Sequence, residues 1–139
     1  MKLDSFPPLK TKDMKTVKVK PLSVNEAWQG RRYKSPKYKV FEKEVLLKLP
    51  DIKLPEPKFY VVYDVGYSNQ QSDIDNFVKP FQDCLQKKYG FNDSDIYALL
   101  IRKNVVPKGE EFIRFEFIHI EIVEGEDKIK KPQIDEASH

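Results

Sequence analysis

Apolar and polar residues along this chain fall into segments with distinct periods. Thr16-Val-Lys-Val-Lys20 alternates apolar with charged positions, the period-two pattern of a half-buried strand. Ser23 to Ser35 is a polar stretch, with Asn25, Gln29, Gly30, Arg31, Arg32, Tyr33 and Lys34, and its composition reads as a loop. A helix is expected from Pro36 to about Lys48. Ser35 is placed to cap it, Pro36 suits its first position, and Val40, Phe41, Glu44, Val45 and Leu47 set a helix-like stripe. After a proline-bounded connection, Lys58-Phe-Tyr-Val-Val-Tyr-Asp-Val65 is rich in aromatic and β-branched residues and predicts a strong strand.

Gly66 to Ser72 is again polar, a loop leading to a second helix over roughly Asn76 to Lys88. Ile74, Phe77, Val78, Phe81, Cys84 and Leu85 recur at helical intervals as its buried stripe, and Gly90 suits its C-terminal cap. Pro80 sits about one turn in, where a lost N–H bond is tolerable but not free. Two more strands follow, Ile96 to Arg102 and Phe112 to Val123, joined as a hairpin through Asn104–Glu110. A phase slip near Phe117-Ile118 suggests a bulge. The order β-α-β-α-β-β predicts one small α/β domain over residues 14–123, a mixed sheet flanked by two helices. A leader (1–13) broken by Pro7 and Pro8 precedes it, and a disordered polar tail (124–139) follows.

At 139 residues the chain suits one domain with a modest core. No run approaches the roughly 18 apolar residues of a membrane span, and the first ten residues lack a signal-peptide core. A single cysteine, Cys84, excludes an internal disulfide. Together these make the cytoplasm the default expectation and a membrane partner unexpected. Net charge is +3, unevenly spread. Between Lys10 and Lys48 there are twelve Lys and Arg against four acids, whereas Glu124 to His139 holds five acids against three lysines. A basic front half suits a polyanion such as DNA and equally an ordinary solvated surface.

Acidic residues concentrate in Ser72-Asp-Ile-Asp-Asn76 and Asn92-Asp-Ser-Asp-Ile96, on either side of the second helix. Such a helix is roughly 20 Å long at 1.5 Å per residue, so the pairs meet only if the following strand returns towards its start. Three clustered carboxylates repel one another and raise their own pKa values, which a hard divalent cation relieves. Carboxylate oxygens without Cys or paired His favour Mg²⁺ or Mn²⁺ over Zn²⁺, the metals of assisted phosphoryl hydrolysis. Lys79, one turn after Asp75, would share a helix face with it and offset phosphate charge. The structural reading is open too: Asp73 and Asp75 favour a helix start, Asp75, Lys79 and Asp83 have ion-pair spacing, and Asn92-Asp-Ser-Asp95 suits a turn.

Taken together, Asp73-Ile-Asp75-Asn76, Lys79-Pro80, Asp83-Cys-Leu85, Asn92-Asp93-Ser94-Asp95-Ile96 and Arg102-Lys103 resemble the RusA family of Holliday junction resolvases. That family's pattern reads D-x-D-N-x-x-K-(P)-x-x-D-x-L, then, after a short gap, D-D-x-Q-[VI] and a strand ending in Lys. The likeness is specific over residues 73–103, with a looser match of Pro21-Leu-Ser-Val-Asn25 to an early turn. It implies a RusA-like, dimeric α/β endonuclease, of a kind often phage or prophage encoded. Such an enzyme cuts four-way or other branched DNA by paired symmetric nicks with Mg²⁺ or Mn²⁺, in recombination and repair. It also implies that Asp73, Asp75 and Asp93 bind metal and that Lys79 is the catalytic lysine. Ile96 and Lys103 anchor the third acid on Asp93, whereas Gly90-Phe91 would favour Asp95. Asn92 departs from the family's first acid of the pair, and Asp95 from its glutamine. A catalytically inactive junction-binding protein is the alternative reading.

Arg31, Arg32, Lys34 and Lys37, interleaved with Tyr33 and Tyr38, are the candidate DNA contacts by phosphate pairing and base stacking. Trp28 and Phe77 suit packing, Cys84 a buried small hydrophobe, and neither His119 nor His139 has a partner at metal or triad spacing.

Overall fold

The computed structural model describes residues 13–30, 33–123 and 128–129. Its centre is β4, Phe59–Tyr67, a strand buried along almost its whole length. A strand so apolar needs neighbours on both edges and cover on both faces. It pairs in parallel with β5, Ile96–Val105, on one side, and antiparallel with β6, Phe112–His119, on the other. A short strand β1, Lys15–Val17, adds to the far edge of β6. The sheet order is β1-β6-β4-β5.

The expected hairpin between the last two long strands is therefore not formed, because β4 lies between them. Residues 106–111 instead carry the chain over the end of β4, where Val106 N–H donates to the Tyr67 carbonyl at 2.7 Å. Nor does β6 bulge near Phe117-Ile118: its register with β4 is unbroken from Phe112 to His119. The slip in the pattern marks the strand's end, and Ile122–Val123 (β7) pairs separately with Lys128–Ile129 (β8). The register irregularity lies elsewhere, between Phe59 and Tyr60 against β5.

Helix α2, Pro36–Lys48, has the predicted bounds, and the Ser35 hydroxyl accepts the Tyr38 N–H as its cap. Its buried side is Tyr38, Phe41 and Val45, while Val40 and Leu47 of the expected stripe are exposed. Helix α3, Val78–Tyr89, starts later than expected, after Phe77, with no side-chain cap from Asp75 or Asn76. Ile74 falls outside it and is exposed. Pro80 then occupies the first turn, where its absent N–H has no helical partner to lose. Gly90, in the left-handed region at φ 76°, closes the helix.

Both helices share one core with the face of β4 formed by Phe59, Val61, Tyr63, Val65 and Tyr67. Tyr63 meets Phe77 and Phe81 edge-on at centroid distances of 5.2 and 6.1 Å, and Phe81 meets Phe115 at 5.8 Å. The polar stretch read as loop carries a short helix α1, Val24–Ala27, capped by Ser23, and a two-stranded ribbon of β2, Trp28–Gln29, and β3, Tyr33–Lys34. Val24 N–H donates to the Asn76 carbonyl at 2.8 Å, tying α1 to the acidic loop. The expected leader (1–13) and tail (124–139) lie outside the described residues except for Asp13 and β8. No described helix is long and apolar enough to cross a membrane.

Candidate metal and nucleic-acid site

The chain passes from β4 through residues 68–77 into α3, which runs back beside the sheet before β5 begins. Asp73 and Asp75 therefore sit beyond the C-terminal end of β4, and Asp93 and Asp95 at the foot of β5, in a 3-10 turn spanning Asp93–Asp95. The twelve residues of α3 separate the two acid pairs, about 18 Å of helix. Among the described residues no group of three or more His, Cys, Asp or Glu is placed to hold a metal ion. The donor chemistry suits Mg²⁺, but within one chain these residues do not fit around it.

Each acid has its own setting. Asp73 and Asp75 are exposed, and the Asn76 amide donates to Asp73 Oδ2 at 3.4 Å. Burial pushes the nearby Tyr67 phenol up to about 12, and the charges of Asp75 and Asp73 add to the shift. The loop is held by Lys103, whose Nζ donates to the carbonyls of Gln70 at 2.6 Å and Ser72 at 2.5 Å. At the opposite end Asp95 serves the turn. Its carboxylate accepts Asn92 N–H at 3.3 Å and lies 3.8 Å from Lys58 Nζ. The exposed Asp93 makes neither kind of contact through its carboxylate among the described residues, though its charge reaches Tyr63. Tyr63 is fully buried and donates to Gln82 Oε1 at 2.9 Å; burial first, and Asp93 second, hold its phenol protonated.

Lys79 does not share a helix face with Asp75, which lies outside α3. It pairs instead with Asp83 at 3.0 Å, and Asp83 also accepts the Tyr38 hydroxyl at 3.3 Å. Lys79 is exposed on the first turn of α3.

The expected DNA contacts divide. Arg31 and Arg32 lie outside the described residues. Lys34 bonds Glu42 at 2.8 Å and lies over the Tyr38 ring, and Lys37 pairs with Glu26 at 3.2 Å. Tyr38 is fully buried, with Trp28 edge-on at 5.3 Å, so it is unavailable for base stacking; Tyr33, on the ribbon, is 71% exposed. Cys84 is buried, its thiol pushed up to about 12 by desolvation, and His119 Nδ1 meets the Glu56 carbonyl.

One buried carboxylate escaped the sequence reading. Asp64, on the face of β4 away from the helices, is 2% exposed. It accepts from Arg102 at 3.3 and 3.4 Å, from Arg114 at 3.3 Å and from the Asn104 amide. Arg102 and Arg114 stand directly opposite it on the flanking strands, and Asn104 lies two residues beyond Arg102 on β5. A single Asp in an apolar strand gives no spacing signal. The arginines at matching depth in the next two strands were the clue. The chain matches no protein-family model, and no curated protein is similar enough to count as a relative.

Proposed function

We propose that this protein is a metal-dependent endodeoxyribonuclease acting on branched DNA, four-way junctions above all, and that it works as a homodimer. The observation that carries the reading is the pair of acid groups at the two ends of one β4-α3-β5 unit, Asp73 with Asp75 and Asp93 with Asp95, of which all but the part-buried Asp95 are exposed. Their sequence context resembles that of the RusA resolvases. Because one chain does not gather them, the reading requires a second copy to complete each Mg²⁺ or Mn²⁺ centre. Asp93 is the better third ligand, since Asp95 is engaged in its own turn and with Lys58. Lys79, at the start of α3, is the residue for phosphate charge, once it leaves Asp83. Arg31, Arg32, Lys34 and Lys37 form the duplex-facing side in this reading.

The test is Asp75→Asn on a synthetic four-way junction. Junction binding persists in the variant while Mg²⁺-dependent cutting disappears; undiminished cutting rejects the assignment. The lack of a three-carboxylate group within the described residues favours a second reading, a junction-binding protein without nuclease activity. Under that reading the unaltered protein binds junctions with no dependence on Mg²⁺ and never cuts them.

A further inference from the structure

Tyr67, the last residue of β4, is 7% exposed, and among the described residues its hydroxyl has no hydrogen-bond partner of ordinary geometry. The group directed at its oxygen, the Phe77 N–H, is itself a donor, so the phenolic proton meets no acceptor. Three other phenols packed in the core differ. Tyr38 donates to Asp83 at 3.3 Å, Tyr63 to Gln82 at 2.9 Å and Tyr89 to the Pro50 carbonyl at 2.6 Å. A buried hydroxyl left unpaired lowers stability, and phenylalanine would fill the same space without that cost. The oxygen of Tyr67 therefore contributes nothing to the resting fold.

Its ring lies against the stretch that carries the acids. Lys103 Nζ stands 5.9 Å from the ring centroid, and the same ammonium grips the Ser72 carbonyl, part of the planar peptide group that leads into Asp73. Phe77 meets the ring edge-on at 6.4 Å. The stretch from Ser72 to Phe77 is thus tied to the surroundings of Tyr67 at both ends, with Asp73 and Asp75 between them. A cavity of about 210 Å³, lined in part by Tyr67, Ser68, Ser72 and Asn76, leaves this stretch room to settle towards the ring. Two negative charges bear on the phenol, that of Asp75 more than that of Asp73.

We propose that Tyr67 is a positioning residue of the acidic loop: when branched DNA engages the loop, the loop closes on the ring and the phenol donates a hydrogen bond to the Asp75 carboxylate, fixing its direction. An ionised carboxylate only accepts, and a hydroxyl bond to it is of the short, strong kind. The unpaired proton of the resting state then has its acceptor in the loaded one. The consequence for cutting rests on the nuclease reading above; the hydrogen bond itself requires only that junction DNA meets the loop.

The experiment compares Tyr67→Phe with Tyr89→Phe in the full chain, on a synthetic four-way junction with Mg²⁺. Tyr89→Phe removes a bonded hydroxyl at the far end of α3 and is expected to lower the melting midpoint and leave kcat unchanged. Tyr67→Phe is expected to do the reverse, with the midpoint unchanged or raised, kcat at least tenfold lower, and KM and junction affinity unchanged. A readout apart from cutting is tyrosine resonance Raman on a phosphorothioate junction that resists cleavage. The difference between wild type and Tyr67→Phe should show a phenol that becomes a donor when the junction is added, and Asp75→Ala should abolish that change. Full kcat in Tyr67→Phe, a midpoint lowered as far as in Tyr89→Phe, a difference spectrum that the junction leaves unaltered, or a change that persists in Asp75→Ala overturns the proposal. A phenol that turns donor in a wild type that never cuts junctions supports the hydrogen bond and overturns only the nuclease reading.

Discussion

Asp64→Asn is the sharpest test of how the sheet is held. The substitution keeps the shape of the side chain but removes its charge and turns one oxygen into a donor. That donor faces three other donors: the Arg102 guanidinium, the Arg114 guanidinium and the Asn104 amide. Breaking a buried ion pair from one side costs about 3–5 kcal/mol. Arg114 is 41% exposed and Arg102 20%, so water recovers part of their solvation and screens part of the attraction. About 3 kcal/mol is the resulting expectation. At roughly 3–4 °C per kcal/mol for a chain of this length, the melting midpoint falls by about 10 °C. Thermal and urea unfolding followed by circular dichroism measure both. In a double-mutant cycle Asp64 should couple more strongly to Arg102, which bonds twice and is less exposed, than to Arg114. A midpoint within about 2 °C of wild type, or the opposite ranking, would show that the cluster is a solvated surface network and refute the argument.

Three further outcomes are expected. If metal centres are shared between copies, Asp75→Asn and Asp93→Asn are each inactive alone. Mixed in equal amounts with subunit exchange, about half the dimers are hybrids with one intact centre, giving single nicks but not paired cuts on a junction; no recovery means that one chain supplies its whole site. Glu42 is partly desolvated, but its hydrogen bond and attraction to Lys34 outweigh that and hold its pKa below 4.5. Its contribution to stability is thus complete above pH 4.5 and lost as pH falls through the depressed value; Glu42→Gln should flatten the fall in urea midpoint over that acidic range and not above pH 6. Gly66→Ala drives a methyl group to 2.4 Å from the Phe112 ring and should destabilise by about 1–3 kcal/mol; Phe112→Leu in the same chain should return most of that loss, as read by urea denaturation.

The sequence disclosed what depends on near neighbours. Ser35-Pro36 fixes the start of α2 by capping and ring geometry alone, and the run through β4 is too rich in branched and aromatic residues to be anything but a buried strand. Misreadings arose where distant parts of the chain decide. Asp75 and Asn76 have the chemistry of a helix cap, yet Phe77 must reach Tyr63 and Tyr67, and the helix begins only after it. The last two long strands are neighbours in sequence with a turn-like connection, but β4 lies between them and pairs with each along nearly its whole length. Spacing identified the acidic residues individually; whether they converge depends on the direction of β5 relative to β4, which no local pattern records. Their parallel run keeps the two groups apart.

The pairing of β1 with β6 joins residues 15–17 to residues 113–115. On a translating ribosome β4, α3 and β5 can pack together once residue 105 has emerged, whereas β1 and the second edge of β4 both wait for β6 to follow. Such a long-range closure slows folding and leaves one edge of β4 open until β6 arrives, a natural point of engagement for a chaperone.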